Sequence, residues 1–282
     1  MRTDRSEQQK TLQGIPVDLV VPKMTRDQPG PGRRVRQTWP EYQGTSIHHA
    51  LYLPTDWRPG AKFPVIVEYA GNRYRNANGD VSSGRVEGGN LGYGISGGKG
   101  FVWLCLPFVD TAGKKNATEW WGDVDATVQY CLMSVAGVCA QFGGRRSAVF
   151  LAGFSRGAIA CNYIGLHNNE ISKLWVGFIA HDHYDGVCEN WPYPGADRAS
   201  ALRRLKRLKN RPVFISQERT TLATREYLHQ TGLRLSATFV DLPYCNHTDT
   251  WVLRSLPERK RLRGWVRKVL AGEPILKQQG AL

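Results

Sequence analysis

The segment Gly153-Phe154-Ser155-Arg156-Gly157 places a serine between two glycines. The apolar run 149–152 before it predicts a buried strand, and small and apolar residues recur at helical spacing in 158–166 after it. At a sharp strand-to-helix turn, small residues two positions to either side relieve crowding, and the corner side chain stands above the helix N-terminus. The pattern predicts that Ser155 is a nucleophile, with the backbone N–H of Arg156 directed at negative charge developing on a carbonyl oxygen.

A serine hydroxyl needs a general base, and the chain has seven histidines. His247, in PYCNHTDTWVL, follows the last predicted strand and is the candidate base. His181 and His183 follow the predicted strand 174–180 and are its rivals. The other four lie in an early strand or on or near predicted helices, away from the strand ends: His48, His49, His167 and His229.

With these motifs the chain resembles the α/β-hydrolase superfamily, and within it the single-domain polysaccharide-esterase, dienelactone-hydrolase-like and peptidase-like members. The resemblance covers about residues 45–271. It implies a mostly parallel sheet covered by helices on both faces, no metal or other cofactor, and a triad in the chain order serine, acid, histidine. It also implies an oxyanion hole in which the N–H of Arg156 is joined by one from Gly71 or Asn72, after the predicted strand 63–70.

The acid is where the sequence departs from the family's pattern. In the family it usually follows the penultimate strand, but Thr220 occupies the aspartate position in the corresponding stretch SQERT. Glu218 is the nearest carboxylate and the first candidate. Asp182 and Asp185, in HDHYDG after the preceding strand, are the alternatives. The missing aspartate also keeps open a hydrolase-fold binding protein without activity.

Aromatic residues follow two strand ends. Trp120 and Trp121 precede the helix predicted from residue 123, and Tyr184 and Trp191 lie in the insertion 181–197. Rings above a serine suit sugar or phenolic groups, so these four residues are candidate substrate contacts, and packing beneath the loops is the competing interpretation. The insertion is too short for a large helical lid, which favours an open cleft. The predicted activity is hydrolysis of short-acyl, carbohydrate or phenolic esters, with an amidase or peptidase as the alternative.

Strands alternate with helices along most of the chain. The predicted strands are 46–53, 63–70, 101–108, 148–153, 174–180, 212–216 and 236–242. This order predicts a mainly parallel sheet, whose sites lie at the carboxyl ends of the strands. We expect an extended arm over residues 1–40 and a single catalytic domain over 41–282.

The net charge of +14 lies largely in the runs 203–211 and 258–268. We interpret both as the outer faces of amphipathic helices, with attraction of an acidic substrate as a second interpretation and without a nucleic-acid-binding motif. GYGISG (92–97) matches G-x-G-x-x-G, but a strand follows it where a dinucleotide fingerprint opens a helix, so no nucleotide site is expected.

No apolar run reaches the roughly 18 residues of a membrane span, and no membrane partner is expected. The first twenty residues contain no visible signal peptide, which fits a cytoplasmic protein or a secreted one whose leader has been removed. Cys188 and Cys245 lie in predicted loops, and the sequence leaves a disulfide between them open, as it does the oligomeric state.

Overall fold

A computed structural model describes residues 10–76 and 79–275, with 76 and 79–81 described through the backbone alone. The strands are β1 (Met24–Thr25), β2 (Arg34–Gln37), β3 (His49–Tyr52), β4 (Phe63–Tyr69), β5 (Arg73–Asn76), β6 (Gly79–Ser83), β7 (Val102–Leu106), β8 (Phe108–Val109), β9 (Asn116–Ala117), β10 (Gly144–Phe154), β11 (Gly177–His181), β12 (Val213–Glu218) and β13 (Ala237–Leu242). The α-helices are α1 (Leu91–Ser96), α2 (Val124–Gln141), α3 (Arg156–Tyr163), α4 (Arg198–Leu205), α5 (Leu222–Gln230) and α6 (Pro257–Ala271).

A nine-stranded sheet forms the centre of the molecule, in the order β1-β2-β3-β7-β4-β10-β11-β12-β13. β3 is antiparallel to both of its neighbours, and the six strands from β7 to β13 in this order are parallel. The predicted mostly parallel sheet is therefore confirmed. Because the carboxyl ends of parallel strands meet at one edge, the loops after β4, β10, β11 and β13 lie together there.

Both faces of the sheet are buried, since successive side chains of each strand point to opposite faces. One face packs Val149 and Leu151 of β10 against α2 to α5, and the other packs Phe150 and Ala152 of the same strand with α1 and α6. β10 thus has buried side chains on both sides, which explains its continuous apolar sequence in contrast to the alternating pattern of a half-exposed strand.

The predicted extended arm contributes to the sheet. Two of its segments, β1 and β2, form one edge of the sheet, where β2 pairs with β3. A boundary at residue 40 therefore does not follow the sheet, because backbone hydrogen bonds join the two sides of that boundary. The alternating pattern of Arg34–Gln37 is short and rich in arginine, which hid this strand from the sequence analysis.

The segment that matches G-x-G-x-x-G folds as α1, and β7 follows it. The N–H groups at the start of α1 are bound by a protein carboxylate, because Glu68 accepts hydrogen bonds from the backbone of Asn90, Leu91 and Gly92 at 2.8–3.1 Å. Glu68 is fully buried. A carboxylate thus already occupies the position where a dinucleotide fold would bind a phosphate.

The basic run 258–268 lies on α6, and the run 203–211 begins in the last turn of α4 and continues beyond it, but parts of both are buried. Arg204 forms a double hydrogen bond with Asp185, and Arg259 forms one with Asp18. The interpretation of both runs as wholly solvated faces is wrong at these two positions, where buried guanidinium groups tie segments together. None of the helices within the described ranges combines the length and the apolar character needed to cross a membrane.

Candidate active site

The turn between β10 and α3 is as tight as its glycines suggested. A Cβ at Gly153 would lie 2.0 Å from the carbonyl oxygen of Gly157, and one at Gly157 would lie 1.8 Å from that of Tyr69. Both distances are far too short for two non-bonded atoms, so neither position tolerates a larger residue without movement of the backbone. Ser155 between them has φ of 53°, a conformation that non-glycine residues rarely adopt.

The side chains of Ser155, His247 and Asp182 form one hydrogen-bonded chain. Nε2 of His247 lies 3.2 Å from Oγ of Ser155, and Nδ1 of the same ring contacts Oδ2 of Asp182. The second oxygen of Asp182 accepts the backbone N–H of Glu218 at 3.2 Å. The side chain of His247 is 31% exposed and that of Asp182 is 9% exposed, so the imidazole is partly accessible to solvent while the acid is shielded.

Glu218, the first candidate for the acid, does not contact the imidazole, and its predicted place beside the ring is wrong. Its carboxylate accepts the backbone N–H of Thr248 at 3.3 Å. The reason is strand order: β11, which ends before Asp182, is the direct neighbour of β10, whereas β12, which ends at Glu218, is one strand further away. Asp185 is also excluded as the partner of His247, because it is buried against Arg204 and Tyr193.

The electrostatics of the pair favour a charged carboxylate beside a basic imidazole. Burial alone would raise the pKa of Asp182, but the hydrogen bond from His247 and the neighbouring imidazoles of His181 and His183 outweigh it, so the pKa lies below 3.8. Burial alone would lower the pKa of His247, but the hydrogen bond and charge of Asp182 raise it above 6.5. Each partner stabilises the ionic form of the other.

All three side chains of this hydrogen-bonded chain come from residues with left-handed backbone conformations. The φ angles are 53° at Ser155, 76° at Asp182 and 46° at His247. Such angles are costly for residues with a Cβ and persist only where surrounding contacts hold them. The strained positions lie immediately after β10 and β11 and in the loop after β13, where each turn directs a side chain over the edge of the sheet.

The residue after the serine has a structural side chain. The guanidinium of Arg156 is buried, donates to the carbonyl oxygens of Gly71 at 3.0 Å and Trp120 at 2.5 Å, and lies 4.0 Å from the ring centre of Phe108. Burial lowers the pKa of Arg156 to about 9, which leaves it charged at neutral pH. Because a peptide unit is planar and trans, binding the carbonyl of Gly71 directs the N–H of Asn72 away from the guanidinium.

The loop after β4 lies against the serine. A Cβ at Gly71 would be 3.2 Å from Cβ of Ser155, so the backbone at this position packs directly on the nucleophile's side chain. The side chain of Asn72 accepts the backbone N–H of Trp120 at 2.7 Å and thereby links this loop to the segment before α2. Three predicted oxyanion-hole residues, Gly71, Asn72 and Arg156, are thus brought beside Ser155.

The four aromatic residues predicted to contact substrate divide into two pairs. Trp121 is buried, with its ring stacked 4.4 Å from that of Tyr163, and Tyr184 is buried as well. These two residues belong to the core, as the competing interpretation predicts, because their rings pack against the face of the sheet beneath the site. Trp120 and Trp191 are partly exposed and contact each other with ring centres 5.4 Å apart.

Two further rings, those of His183 and Tyr74, lie at the site. The sequence did not indicate either of them as a substrate contact. His183 lies between Trp191 and His247, 5.4 Å from each ring centre, and burial lowers its pKa to about 4. Tyr74, on the β5–β6 hairpin, is half exposed, with its ring centre 5.8 Å from that of His247. The sequences of β5 (RYRN) and β6 (GDVSS) show no alternation of apolar and polar residues, so the hairpin gave no sequence signal.

The loop that carries His247 is held from several directions. His181 is fully buried and contacts the carbonyl oxygen of Thr248 through Nε2 at 3.0 Å, so this rival for the base supports the loop instead. From the other side, Asn246 accepts the backbone N–H of Leu12 at 2.8 Å. The arm continues along the loop, and Val17 pairs with Arg254. The N-terminal segment therefore packs on the loop that supplies the imidazole.

Cys188 and Cys245 are not bridged to each other. Within the described part of the chain, no cluster of three or more histidine, cysteine, aspartate or glutamate side chains is placed to hold a metal ion. The residues between β11 and α4 form neither helix nor strand, and the side chain of His247 beside them is partly exposed.

Solved structures with the same architecture show that this is the α/β-hydrolase fold. The chain is similar to esterase Est22 bound to p-nitrophenol (TM-score 0.55, 15% identity, 84% of this chain and 80% of that one) and to an esterase of Rhizomucor miehei (0.55, 13%, 85% and 82%). It is also similar to the acylaminoacyl peptidase of Pyrococcus horikoshii (0.53, 14%, 89% and 42%). The chain spans 62% of the length of a similar thermostable esterase. No protein-family model matches the sequence, and no curated protein matches it.

Proposed function

We propose that this protein is a serine hydrolase that cleaves carboxylic esters through a triad of Ser155, His247 and Asp182. The observation that carries the proposal is the hydrogen-bonded chain from Oγ of Ser155 to the buried carboxylate of Asp182. A serine linked in this way to an imidazole, itself oriented by a carboxylate, is the arrangement that activates a hydroxyl for acyl transfer. The similarity to solved structures of esterases agrees with this chemistry at the level of the fold.

In the first half of the reaction, Oγ of Ser155 attacks the ester carbonyl carbon while Nε2 of His247 takes the hydroxyl proton. Asp182 stabilises the imidazolium that forms. The backbone N–H groups of Asn72 and Arg156 donate to the tetrahedral oxyanion. The bond to the alkoxy oxygen then breaks, His247 protonates the leaving alcohol, and an acyl group remains on Ser155.

In the second half, water replaces the alcohol. His247 takes a proton from the water as it attacks the acyl carbon, and the collapse of the second tetrahedral intermediate returns that proton to Ser155 and releases the carboxylic acid. The rings of Trp120, Trp191 and His183 contact one another beside the triad. Such a surface suits a flat leaving group or a sugar ring better than a long acyl chain.

The proposal is tested with p-nitrophenyl acetate and an active-site fluorophosphonate probe. Ser155→Ala is expected to lower kcat by a factor on the order of 10⁶ and to abolish labelling, with little change in the melting temperature. Turnover by the Ser155→Ala protein at the wild-type rate would exclude Ser155 as the nucleophile. The failure of the wild-type protein to react with the probe would favour a binding protein of the same fold. Parallel assays with p-nitroanilides separate an esterase from an amidase.

A further inference from the structure

His183 lies within a row of aromatic rings that begins at the imidazole of His247. Its ring centre is 5.4 Å from that of His247 and 5.4 Å from that of Trp191, and Trp191 continues the row to Trp120, again at 5.4 Å. The planes of neighbouring rings are inclined to one another by 45°, 61° and 57° along the row. The rings therefore form a curved wall beside the triad, and His183 is the member of that wall next to the base.

The ring nitrogens of His183 differ in their surroundings from those of most other histidines. In five of the seven histidines a ring nitrogen contacts an oxygen atom of the protein: His48, His49, His167, His181 and His247. Within the part of the chain that the structure describes, neither nitrogen of His183 has a hydrogen-bond partner. None of the fully buried, partnerless nitrogen and oxygen atoms of the described side chains belongs to His183, so both of its ring nitrogens reach the solvent. Neighbouring rings hold the imidazole, while its polar atoms are available to another molecule.

The imidazole of His183 is neutral at the pH at which the base is active. Burial of the ring among its neighbours lowers its pKa to about 4, although the charge of Asp182 raises it. A neutral imidazole has one N–H donor and one acceptor nitrogen. A hydroxyl group likewise both donates and accepts, whereas a carboxylate only accepts. An uncharged hydroxyl group is therefore the better complement to this ring.

The insertion 181–197 is fixed in place, although the residues between β11 and α4 form neither helix nor strand. The guanidinium of Arg204 donates to the buried carboxylate of Asp185 at 2.8 and 2.9 Å. The same guanidinium donates to the carbonyl oxygen of Gly195 at 2.7 Å. A single buried cation thus ties both ends of the insertion to α4, so the rings that the insertion carries keep a fixed place beside the triad.

Trp120, at the far end of the row, is fixed to the loops around the nucleophile. Its φ of 45° is in the left-handed region, which is costly for a residue with a Cβ. Its backbone N–H donates to Oδ1 of Asn72 at 2.7 Å, and its carbonyl oxygen accepts a hydrogen bond from the guanidinium of Arg156 at 2.5 Å. The row of rings is therefore anchored at both ends to segments that position the reacting groups.

His183 lies on the side of Ser155 where the leaving alcohol departs. The loop after β4 supplies an oxyanion N–H, and β11 precedes His183; these two strands are the neighbours of β10 on opposite sides. In the proposed mechanism Nε2 of His247 protonates the alcohol oxygen, so that oxygen lies beside the imidazole as it leaves. A group attached to this oxygen is therefore directed along the rings of His183 and Trp191.

We propose that His183 binds a hydroxyl group of the leaving alcohol, so that the preferred substrates are esters of alcohols or phenols that carry a second hydroxyl group. The rest of the alcohol packs on the rings of Trp191 and Trp120, since binding sites combine aromatic walls with a few placed polar groups that set specificity. This inference rests on the proposed esterase function and names the substrate class of the same site. A methyl group in place of that hydroxyl group leaves the nitrogens of His183 without this partner.

The test compares acetates that differ by a hydroxyl or a methyl group of similar size. The aryl pairs are para-hydroxyphenyl acetate against para-tolyl acetate and the corresponding meta isomers, whose phenols have similar acidity. The alkyl pair is the monoacetate of ethylene glycol against n-propyl acetate. Each ratio of kcat/KM, hydroxyl over methyl, is divided by the same ratio for hydroxide-catalysed hydrolysis. In the wild-type protein we expect this corrected ratio to be about tenfold in at least one pair, the effect of one neutral hydrogen bond.

Substitutions of His183 separate its nitrogens from its ring. His183→Phe keeps a ring between Trp191 and His247 but removes both nitrogens, so the ratio should fall to about one while kcat/KM for the methyl esters stays within about threefold. His183→Asn and His183→Gln return an amide group near one or the other ring nitrogen, and at least one of them should recover part of the ratio. His229→Phe, at an exposed histidine of α5, is the matched control and leaves the ratio unchanged.

An equal ratio in the wild-type protein and in folded His183→Phe overturns the inference. This includes an equal loss of activity on both members of a pair, which would assign the ring of His183 to the support of His247. A wild-type ratio near one in every pair also overturns it. If the wild-type protein cleaves the methyl esters in these cases, the proposed function stands. If it cleaves neither member of any pair and does not react with the fluorophosphonate probe, the proposed function fails as well.

Discussion

Nδ1 of His247 donates a hydrogen bond to the carboxylate of Asp182, a residue that follows β11, next to the strand that ends at the nucleophile. The other oxygen of Asp182 is bound by the backbone N–H of Glu218. A carboxylate whose two oxygens are both hydrogen-bonded has a fixed orientation. It therefore holds its negative charge at a fixed position beside the imidazole. The backbone of β12 thus orients Asp182, although the Glu218 carboxylate at the end of the same strand binds the histidine loop.

Replacing this acid tests its role directly. Asp182→Asn is expected to lower kcat by about 10³–10⁴ with a small change in KM, because the amide cannot stabilise the imidazolium. The measurement is steady-state hydrolysis of p-nitrophenyl acetate. Asp185→Asn is the control, because it removes the charge of a nearby carboxylate that does not contact His247. It weakens the ion pair with Arg204 and so lowers the stability of the fold. An Asp182→Asn protein as active as wild type would assign the acid to another residue.

The pH profile follows from the same pair. Asp182 raises the pKa of His247 above 6.5, and a general base works only in its neutral form. The kcat/KM of the wild-type protein should therefore fall as the pH falls through a midpoint above 6.5. Asp182→Asn removes the carboxylate, so the midpoint of its residual activity should move to lower pH. An unchanged midpoint in the variant would show that another group sets the acidic limb.

Glu218 is expected to position the histidine loop. Glu218→Ala leaves the backbone N–H of Thr248, the residue after His247, without this acceptor, so kcat should fall about tenfold while KM stays within twofold. Glu218→Gln keeps one acceptor oxygen and should restore most of that loss. Kinetics of both variants at one pH provide the measurement. A loss in Glu218→Gln as large as that in Asp182→Asn would instead place Glu218 in the triad.

The contact between the arm and the histidine loop predicts an effect on local stability. Asn246→Ala deprives the N–H of Leu12 of its acceptor and should cost about 1 kcal/mol. Amide hydrogen exchange should speed up in residues 10–19 and 244–254, while the central strands keep their protection. Asn246→Asp retains an acceptor oxygen and serves as the matched control. Exchange that is equally slow in the Asn246→Ala protein would show that the arm is held by its other contacts alone.

A buried acid behind the loop predicts how stability depends on pH. Asp249 accepts a hydrogen bond from Asn90 at 2.8 Å, and burial together with the charge of Glu68 raises its pKa to about 7. The folded protein therefore holds a proton that the unfolded chain releases near pH 3.8. The stabilisation linked to that proton is complete below the unfolded value and is lost as the pH rises through about 7.

Asp249→Asn removes this titration and keeps an acceptor for Asn90. It should raise the free energy of unfolding at pH 8 by on the order of 2–4 kcal/mol relative to wild type, with a smaller difference at pH 5. Urea unfolding at the two pH values provides the measurement, and Asp27→Asn, in the exposed arm, is the control. A variant that is less stable than wild type at pH 8 would show that Asp249 is charged in the folded protein.

The local features of the site could be predicted from the sequence because each rests on neighbours along the chain. The apolar run before Ser155 and the glycines around it predict the turn, since only small residues fit where the backbone of Tyr69 and Gly157 approaches within 2 Å of a Cβ. His247 could be predicted because a histidine after the last strand of a parallel sheet reaches the same edge as the serine. Its distance of 3.2 Å from Ser155 is consistent with that placement.

The choice among Glu218, Asp182 and Asp185 was decided by tertiary structure alone. All three follow strand ends in the sequence, and only strand order and register show that Asp182 reaches the ring, Glu218 the loop backbone and Asp185 a buried arginine. The same holds for the aromatic residues: Trp121 is buried in the core, whereas the adjacent Trp120 is partly exposed at the site. Patterns along the chain specify which segments form strands and turns, whereas side-chain partners depend on contacts between segments that are far apart in sequence and meet only when the sheet assembles.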